Sequence, residues 1–227
     1  MSYSTPWHCL PLEGRALPEY LLAHLWHRHR VQLAAGDGHP VIVIPGFGAD
    51  ARATAPLREA LRAAGHDLRD WGQGRNTGMS RKIGQGLGQT VQEAAERSAG
   101  PVSLIGWSLG GVFARELARR MPETIRQVIT LGSPIQDGDH TTIGMLFRLQ
   151  NRGTPSITPE ALRQERAAPP PVPCTAIYTI SDGIVPWQAS LEQEGPQTRN
   201  IRVRGSHMGM PANPQVWKAC AEILAQP

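Results

Sequence analysis

Four strand-like runs, the first of them continuously apolar, constrain this chain more than any other feature. They are Val41-Ile-Val-Ile44, Val102 to Ile105, Gln127 to Leu131 with its β-branched core, and Thr175-Ala-Ile-Tyr-Thr-Ile180. The continuous run Val41–Ile44 is typical of a strand buried on both faces of a parallel sheet. Amphipathic helices stand between them. Thr54 to Ala64 carries Pro56 in its first turn, Leu57 and Leu61 inward, and Gly65 as its stop. A helix from Ser80 spaces Ile83, Leu87 and Val91 on one face, and another places Val112, Phe113, Leu117 and Met121 inward. Shorter strands are predicted at Asp67–Trp71 and Asn200–Arg204, with a final helix from Asn213 to Ala225. Strand alternating with helix predicts an α/β fold, a mostly parallel sheet of about six strands covered by helices on both faces.

At 227 residues the chain fits one such domain, spanning 1–227. Residues 1–40 read as an N-terminal helical extension. Its helix, 17–33, sets Leu17, Leu21 and Leu25 on a stripe beside Leu22 and Trp26, expected to dock on the core. Residues 136–173 break the rhythm before the penultimate strand and read as a cap or insert.

The net charge of +4 comes from arginines dispersed along the chain, so no nucleic-acid partner is expected. No segment reaches bilayer-spanning length, and the start has neither a basic region nor an apolar run of signal-peptide length. Stable membrane insertion is not expected, and interfacial contact by the first helix is secondary to docking. Cys9, Cys174 and Cys220 are odd in number and widely spaced, which suits reduced thiols and a cytoplasmic setting. His24, His27 and His29 lie close together, but neither Asp nor Cys completes a ligand set nearby, so neither metal nor cofactor is called for. The oligomeric state is left open.

In parallel sheets, sites form at the carboxyl ends of strands. Four loops follow strands directly: those holding Phe47, Ser108, Asp182 and His207. Ser108 lies in Gly106-Trp-Ser-Leu-Gly110 between a strand and a helix, where a strained turn exposes its hydroxyl at the helix N-terminus. An alcohol needs an adjacent base, and imidazole suits near neutrality. His207 is the best placed of the eight histidines; His39 and His66 precede strands, at the opposite edge. Asp182 follows the penultimate strand and would fix the imidazole tautomer. Asp137 and Asp139 are rival acids, and Asp182-Gly183 alone reads more often as a turn than as a catalytic acid. Backbone N–H groups of Leu109 and Phe47 would form the oxyanion hole, with Gly48 or Ala49 as substitutes for Phe47.

Ile44-Pro-Gly-Phe47, Gly106-Trp-Ser-Leu-Gly-Gly111, Leu131-Gly-Ser-Pro134, Ser181-Asp-Gly-Ile-Val-Pro186 and Gly205-Ser-His207 together resemble the α/β-hydrolase superfamily, nearest to bacterial lipases and carboxylesterases. Many lipases have His-Gly where this chain has Pro45-Gly46. The resemblance implies acyl transfer from a small-molecule acyl ester through a Ser108–His207–Asp182 triad, and a serine nucleophile separates the chain from relatives that use aspartate. Trp107, Met145, Leu146, Phe147, Trp187 and Met208 (with Met210) would line an apolar acyl pocket, or else simply pack the core. Esterase or lipase activity is the first reading; acyltransferase or thioesterase chemistry is the alternative, and a non-catalytic binding protein the third.

Overall fold

The computed structural model describes residues 7–25, 31–78, 80–136 and 167–226. Its centre is a six-stranded sheet of β1 (Pro40–Ile44), β2 (Asp67–Arg69), β3 (Val102–Trp107), β4 (Ile125–Leu131), β5 (Cys174–Tyr178) and β6 (Thr198–Arg202), in the order β2-β1-β3-β4-β5-β6. Every neighbouring pair is parallel. All the strand-to-helix loops therefore leave at one edge.

The helices are α1 (Ala16–Leu25), α2 (Ala55–Ala63), α3 (Arg81–Ser98), α4 (Leu109–Arg120) and α5 (Pro214–Leu224). Period-two alternation divides the buried strand residues between two apolar layers. Ile42, Ile44, Leu104 and Val128 meet Ile83, Leu87 and Val91 of α3 and Phe113 and Leu117 of α4. Val41, Val43, Ile105 and Ile129 meet Leu57 and Leu61 of α2 and Val216, Trp217 and Cys220 of α5. Each fully buried aliphatic side chain contributes about 1.5–3 kcal/mol to burial, which is why the apolar runs dominate the fold.

Helix starts follow local chemistry. The Ser80 hydroxyl accepts from the Ile83 amide at 3.2 Å, and Asn213 Oδ1 accepts from the Gln215 amide at 2.9 Å. Of the inward set predicted on α4, Phe113 and Leu117 are buried, while Val112 and Met121 are half-buried at its margin.

The N-terminal helix departs from expectation. Within 17–33 the described helix ends at Leu25, residues 31–33 are irregular, and Trp26 lies outside the described residues. Its leucine stripe faces outward: Leu17 is 81% exposed, and Leu21, Leu22 and Leu25 are exposed too. The inward face is Glu19, Tyr20 and Ala23 instead. Tyr20 donates its hydroxyl to the Ala53 carbonyl at 2.6 Å, and Glu19 bonds to Ser206 at 3.0 Å. Polar partners at the sheet edge thus decide the helix's rotation over its apolar stripe. No helix among the described residues is long and apolar enough to cross a membrane.

Candidate active site

Three loop ends converge at the carboxyl edge. The first follows β3. Ser108 has φ 54° and ψ −123°, one of two non-glycine residues with positive φ among those described. The surrounding glycines explain how this backbone is tolerated. A Cβ on Gly106 would strike Gly111, and one on Gly110 would strike the Ile44 carbonyl. Strand and helix approach too closely for side chains there, as the sequence spacing predicts. The Ser108 amide bonds to the Leu131 carbonyl at 2.8 Å, continuing the β3–β4 ladder into the turn.

The loops after β5 and β6 carry the other two groups. His207 Nδ1 lies 2.7 Å from Asp182 Oδ2, with both side chains about 1% exposed. The second carboxylate oxygen, Oδ1, accepts from the amides of Ile184 at 2.9 Å and Val185 at 2.7 Å. Asp182 is therefore both the acid beside the imidazole and the cap of its own turn. Burial works against a charged imidazole, but the Asp182 charge and hydrogen bond, with Glu13 adding, outweigh it and raise the His207 pKa above its usual value. The residue before Ser108 joins these loops, since the Trp107 indole donates to the His207 carbonyl at 3.2 Å. Gly132, after β4, lies against the dyad: a Cβ there would fall 2.9 Å from His207 Nδ1 and 3.1 Å from Asp182 Oδ2.

The loop after β1 lies against Ser108, and a Cβ on Gly46 would be 3.2 Å from the Ser108 Cβ. Asn76 pins this loop. Its amide donates to the Ala49 carbonyl at 2.8 Å, its carbonyl accepts from Gly48 at 2.7 Å, and its side chain donates to the Pro45 carbonyl at 2.8 Å. Asn76 itself is fully buried. The amides of Gly48 and Ala49 are thus already engaged, Ala49 with the Gly46 carbonyl at 3.2 Å. Phe47 is half-buried, and Leu109 is the first residue of α4, where backbone amides lack intrahelical partners.

The pocket residues fall in different places. Trp107 lies in the core, 3% exposed. Trp187 is half-buried and stacks on Tyr178 with centroids 5.7 Å apart. Met208 is exposed beside His207, and Met210 is buried. Met145, Leu146 and Phe147 lie outside the described residues, as do the rival acids Asp137 and Asp139 and most of the 136–173 insert.

A serine–histidine–aspartate array stands at the opposite edge. His39 Nε2 lies 2.8 Å from Ser103 Oγ, and its Nδ1 bonds to Asp37 Oδ1. Ser103 is fully buried within β3, with ordinary strand backbone and no turn to present its hydroxyl. The array ties the start of β1 to β3. What sets Ser108 apart from Ser103 is backbone presentation, a positive-φ turn at the carboxyl edge.

The fold is that of the α/β hydrolases. The profile of the palmitoyl protein thioesterase family matches residues 40–165, more than half of the chain, and the chain belongs to that family. The pimeloyl-[acyl-carrier protein] methyl ester esterase of Aliivibrio salmonicida is 31% identical over 102 residues, covering 43% of this chain and 37% of the relative, so the match spans little more than a third of that protein. Among solved structures, the monoacylglycerol lipase of Paleococcus ferrophilus superposes with a TM-score of 0.60 at 16% identity, covering 85% of this chain and 96% of the lipase. The thioesterase domain from the curacin biosynthetic pathway gives 0.57 at 14%, covering 85% and 93%. Both structural likenesses establish the fold.

Proposed function

We propose that the chain is a serine hydrolase of carboxylic esters acting through Ser108, His207 and Asp182. The observation that carries this reading is the buried Asp182–His207 pair, 2.7 Å apart, held at the same sheet edge as a serine on a positive-φ strand-to-helix turn. The family match and the esterase relative support the same reading.

In the proposed cycle, the Ser108 hydroxyl attacks the acyl carbonyl while His207 Nε2 takes its proton. Asp182 holds the Nδ1–H tautomer and stabilises the imidazolium. The tetrahedral oxyanion is received by the amides of Leu109 and Phe47. His207 returns the proton to the leaving alcohol, and an acyl-enzyme remains. Water then attacks that ester as His207 takes its proton, and His207 returns the proton to Ser108 Oγ as the acid departs. Met208 and Trp187, with Met145, Leu146, Phe147 and Trp107, are the proposed apolar wall for the acyl chain.

A second reading has a specific motive. The family's description concerns a thioesterase, and the same steps cleave a thioester with thiolate as leaving group. An acyl acceptor other than water would make the enzyme a transferase. A panel of esters and matching thioesters of increasing acyl length tests both readings. Faster turnover of esters favours the first, faster turnover of thioesters the second, and no turnover of either contradicts both.

A further inference from the structure

Asp182 and His207 sit on separate loops, and the second of these has support on one side only. β6 is an edge strand with mostly exposed residues, so His207 hangs beyond the last rung of the sheet. The space on its open side is filled by the N-terminal segment, the 3-10 helix Trp7–Arg15 and α1.

The contacts are specific. Glu13 Oε1 accepts from the amides of Gly183 at 2.8 Å and His207 at 3.0 Å, and its Oε2 accepts from Met208 at 2.8 Å. One carboxylate thus holds the residue after the acid and the base itself. Arg15 donates to Ser181 Oγ at 2.9 Å and to the Gly205 carbonyl at 3.2 Å, spanning the same two loops. Glu19 accepts from both the amide and the hydroxyl of Ser206. The glycines of these loops make room for the segment. A Cβ on Gly183 would lie 2.6 Å from the Cys9 carbonyl, and one on Gly209 would occupy the place of the Glu19 carboxylate.

We propose that Glu13 is a positioning residue which, with Arg15 and Glu19, clamps the loops of Asp182 and His207 into register from outside the hydrolase sheet. The proposal rests on the triad reading above. Hydrogen bonds to a carboxylate are about twice as strong as neutral ones, and three of them converge on Glu13. The charged groups packed around His207 are Asp182 from the β5 loop, Glu13 from the 3-10 helix, and Glu19 and Arg15 one loop residue further out. Removing Glu13 alone takes away a negative charge that favours the imidazolium.

Glu13→Gln keeps the shape but sets an amide donor against the N–H of His207 or Met208. With p-nitrophenyl acetate, its kcat falls about tenfold to a hundredfold, as for an ångström-scale misplacement of a reacting group. KM stays within about twofold, because no substrate contact is lost. The acid limb of the kcat/KM profile moves to lower pH. Glu13→Asp retains the charge, so it restores the position of that limb while recovering only part of kcat. An NMR titration of the His207 imidazole, assigned with His207→Asn, reads the same shift without substrate: downward in Glu13→Gln, unmoved in Glu13→Asp. If the wild type cleaves no ester yet the titration shifts, the clamp stands and the ester reading falls. If the wild type is active and Glu13→Gln leaves both kcat and the titration unchanged, the clamp is overturned. Should Glu13→Gln not fold, wild-type kcat in Glu13→Asp overturns it and a reduced kcat supports it.

Discussion

Asp182 and His207, 25 residues apart in sequence, meet through a 2.7 Å contact between Oδ2 and Nδ1, while the other oxygen of Asp182 caps its own turn. One residue thereby fixes both the imidazole and the loop that carries it. Replacing Asp182 by asparagine preserves the turn acceptor but removes the charge that holds the tautomer. The expected outcome is a fall in kcat of about four orders of magnitude, the size known for the equivalent change in a serine protease. Steady-state turnover of a p-nitrophenyl ester checks it, and a loss below about tenfold would show that another acid serves His207.

The raised His207 pKa has two signs to test. As the proposed base, His207 must be neutral, so kcat/KM should rise with pH through a midpoint above the ordinary histidine value of 6.5. As a stabilising group, it acts when protonated. Its contribution is therefore complete below about pH 6.5 and is lost as pH rises through the higher folded value. His66 acts oppositely. Burial lowers its pKa, so its share is present above about pH 6.5 and lost as pH falls through the lower folded value. Thermal melts from pH 5 to 9 on the wild type, His207→Gln and His66→Gln separate the two. His207→Gln should flatten the alkaline side of the curve, and His66→Gln the acidic side.

Much of this was legible from residues alone. The continuous run Val41–Ile44 announced a strand buried on both faces, and the glycines around Ser108 announced a close strand–helix approach; both reflect constraints local in sequence. The rotation of α1 was not legible, because Glu19 and Tyr20 turn inward only to meet Ser206 and Ala53, partners 187 and 33 residues away. Asn76 escaped notice for the same reason: its hydrogen bonds reach the loop after β1, and nothing in Gly72–Gly78 says so. The same holds at Gly209, where the place a Cβ would take is the seat of the Glu19 carboxylate.

Asn76→Ala tests how the oxyanion loop is held. The substitution removes the bond to the Pro45 carbonyl in a fully buried position, a cost of about 1–3 kcal/mol in stability. Because the loop carries Phe47, kcat should fall by more than the melting shift explains, on the order of a hundredfold if that donor is displaced. Urea unfolding alongside kinetics distinguishes the effects; stability loss with unchanged kcat would free this loop of a catalytic part.

Arg115 and Glu192 test stability away from the triad. They form a fully buried ion pair between α4 and the chain after Asp182, and Arg115 also donates to the carbonyls of Ala167 at 3.1 Å and Ala168 at 2.9 Å. Glu192→Leu strands the guanidinium and should cost about 3–5 kcal/mol in urea unfolding. Replacing both partners, Arg115→Met with Glu192→Leu, should recover most of that loss. A single variant as stable as the wild type would contradict the pairing.

The most direct measurement is fluorophosphonate labelling of the whole protein, mapped by peptide mass spectrometry, with ester turnover measured on Ser108→Ala and Ser103→Ala. Ser103 is hydrogen-bonded to His39, but only Ser108 stands on a positive-φ turn at the carboxyl edge. The label should fall on Ser108 alone; Ser108→Ala should lose turnover and labelling, and folded Ser103→Ala should keep both. A label on Ser103 or elsewhere, or undiminished turnover in Ser108→Ala, would contradict the account.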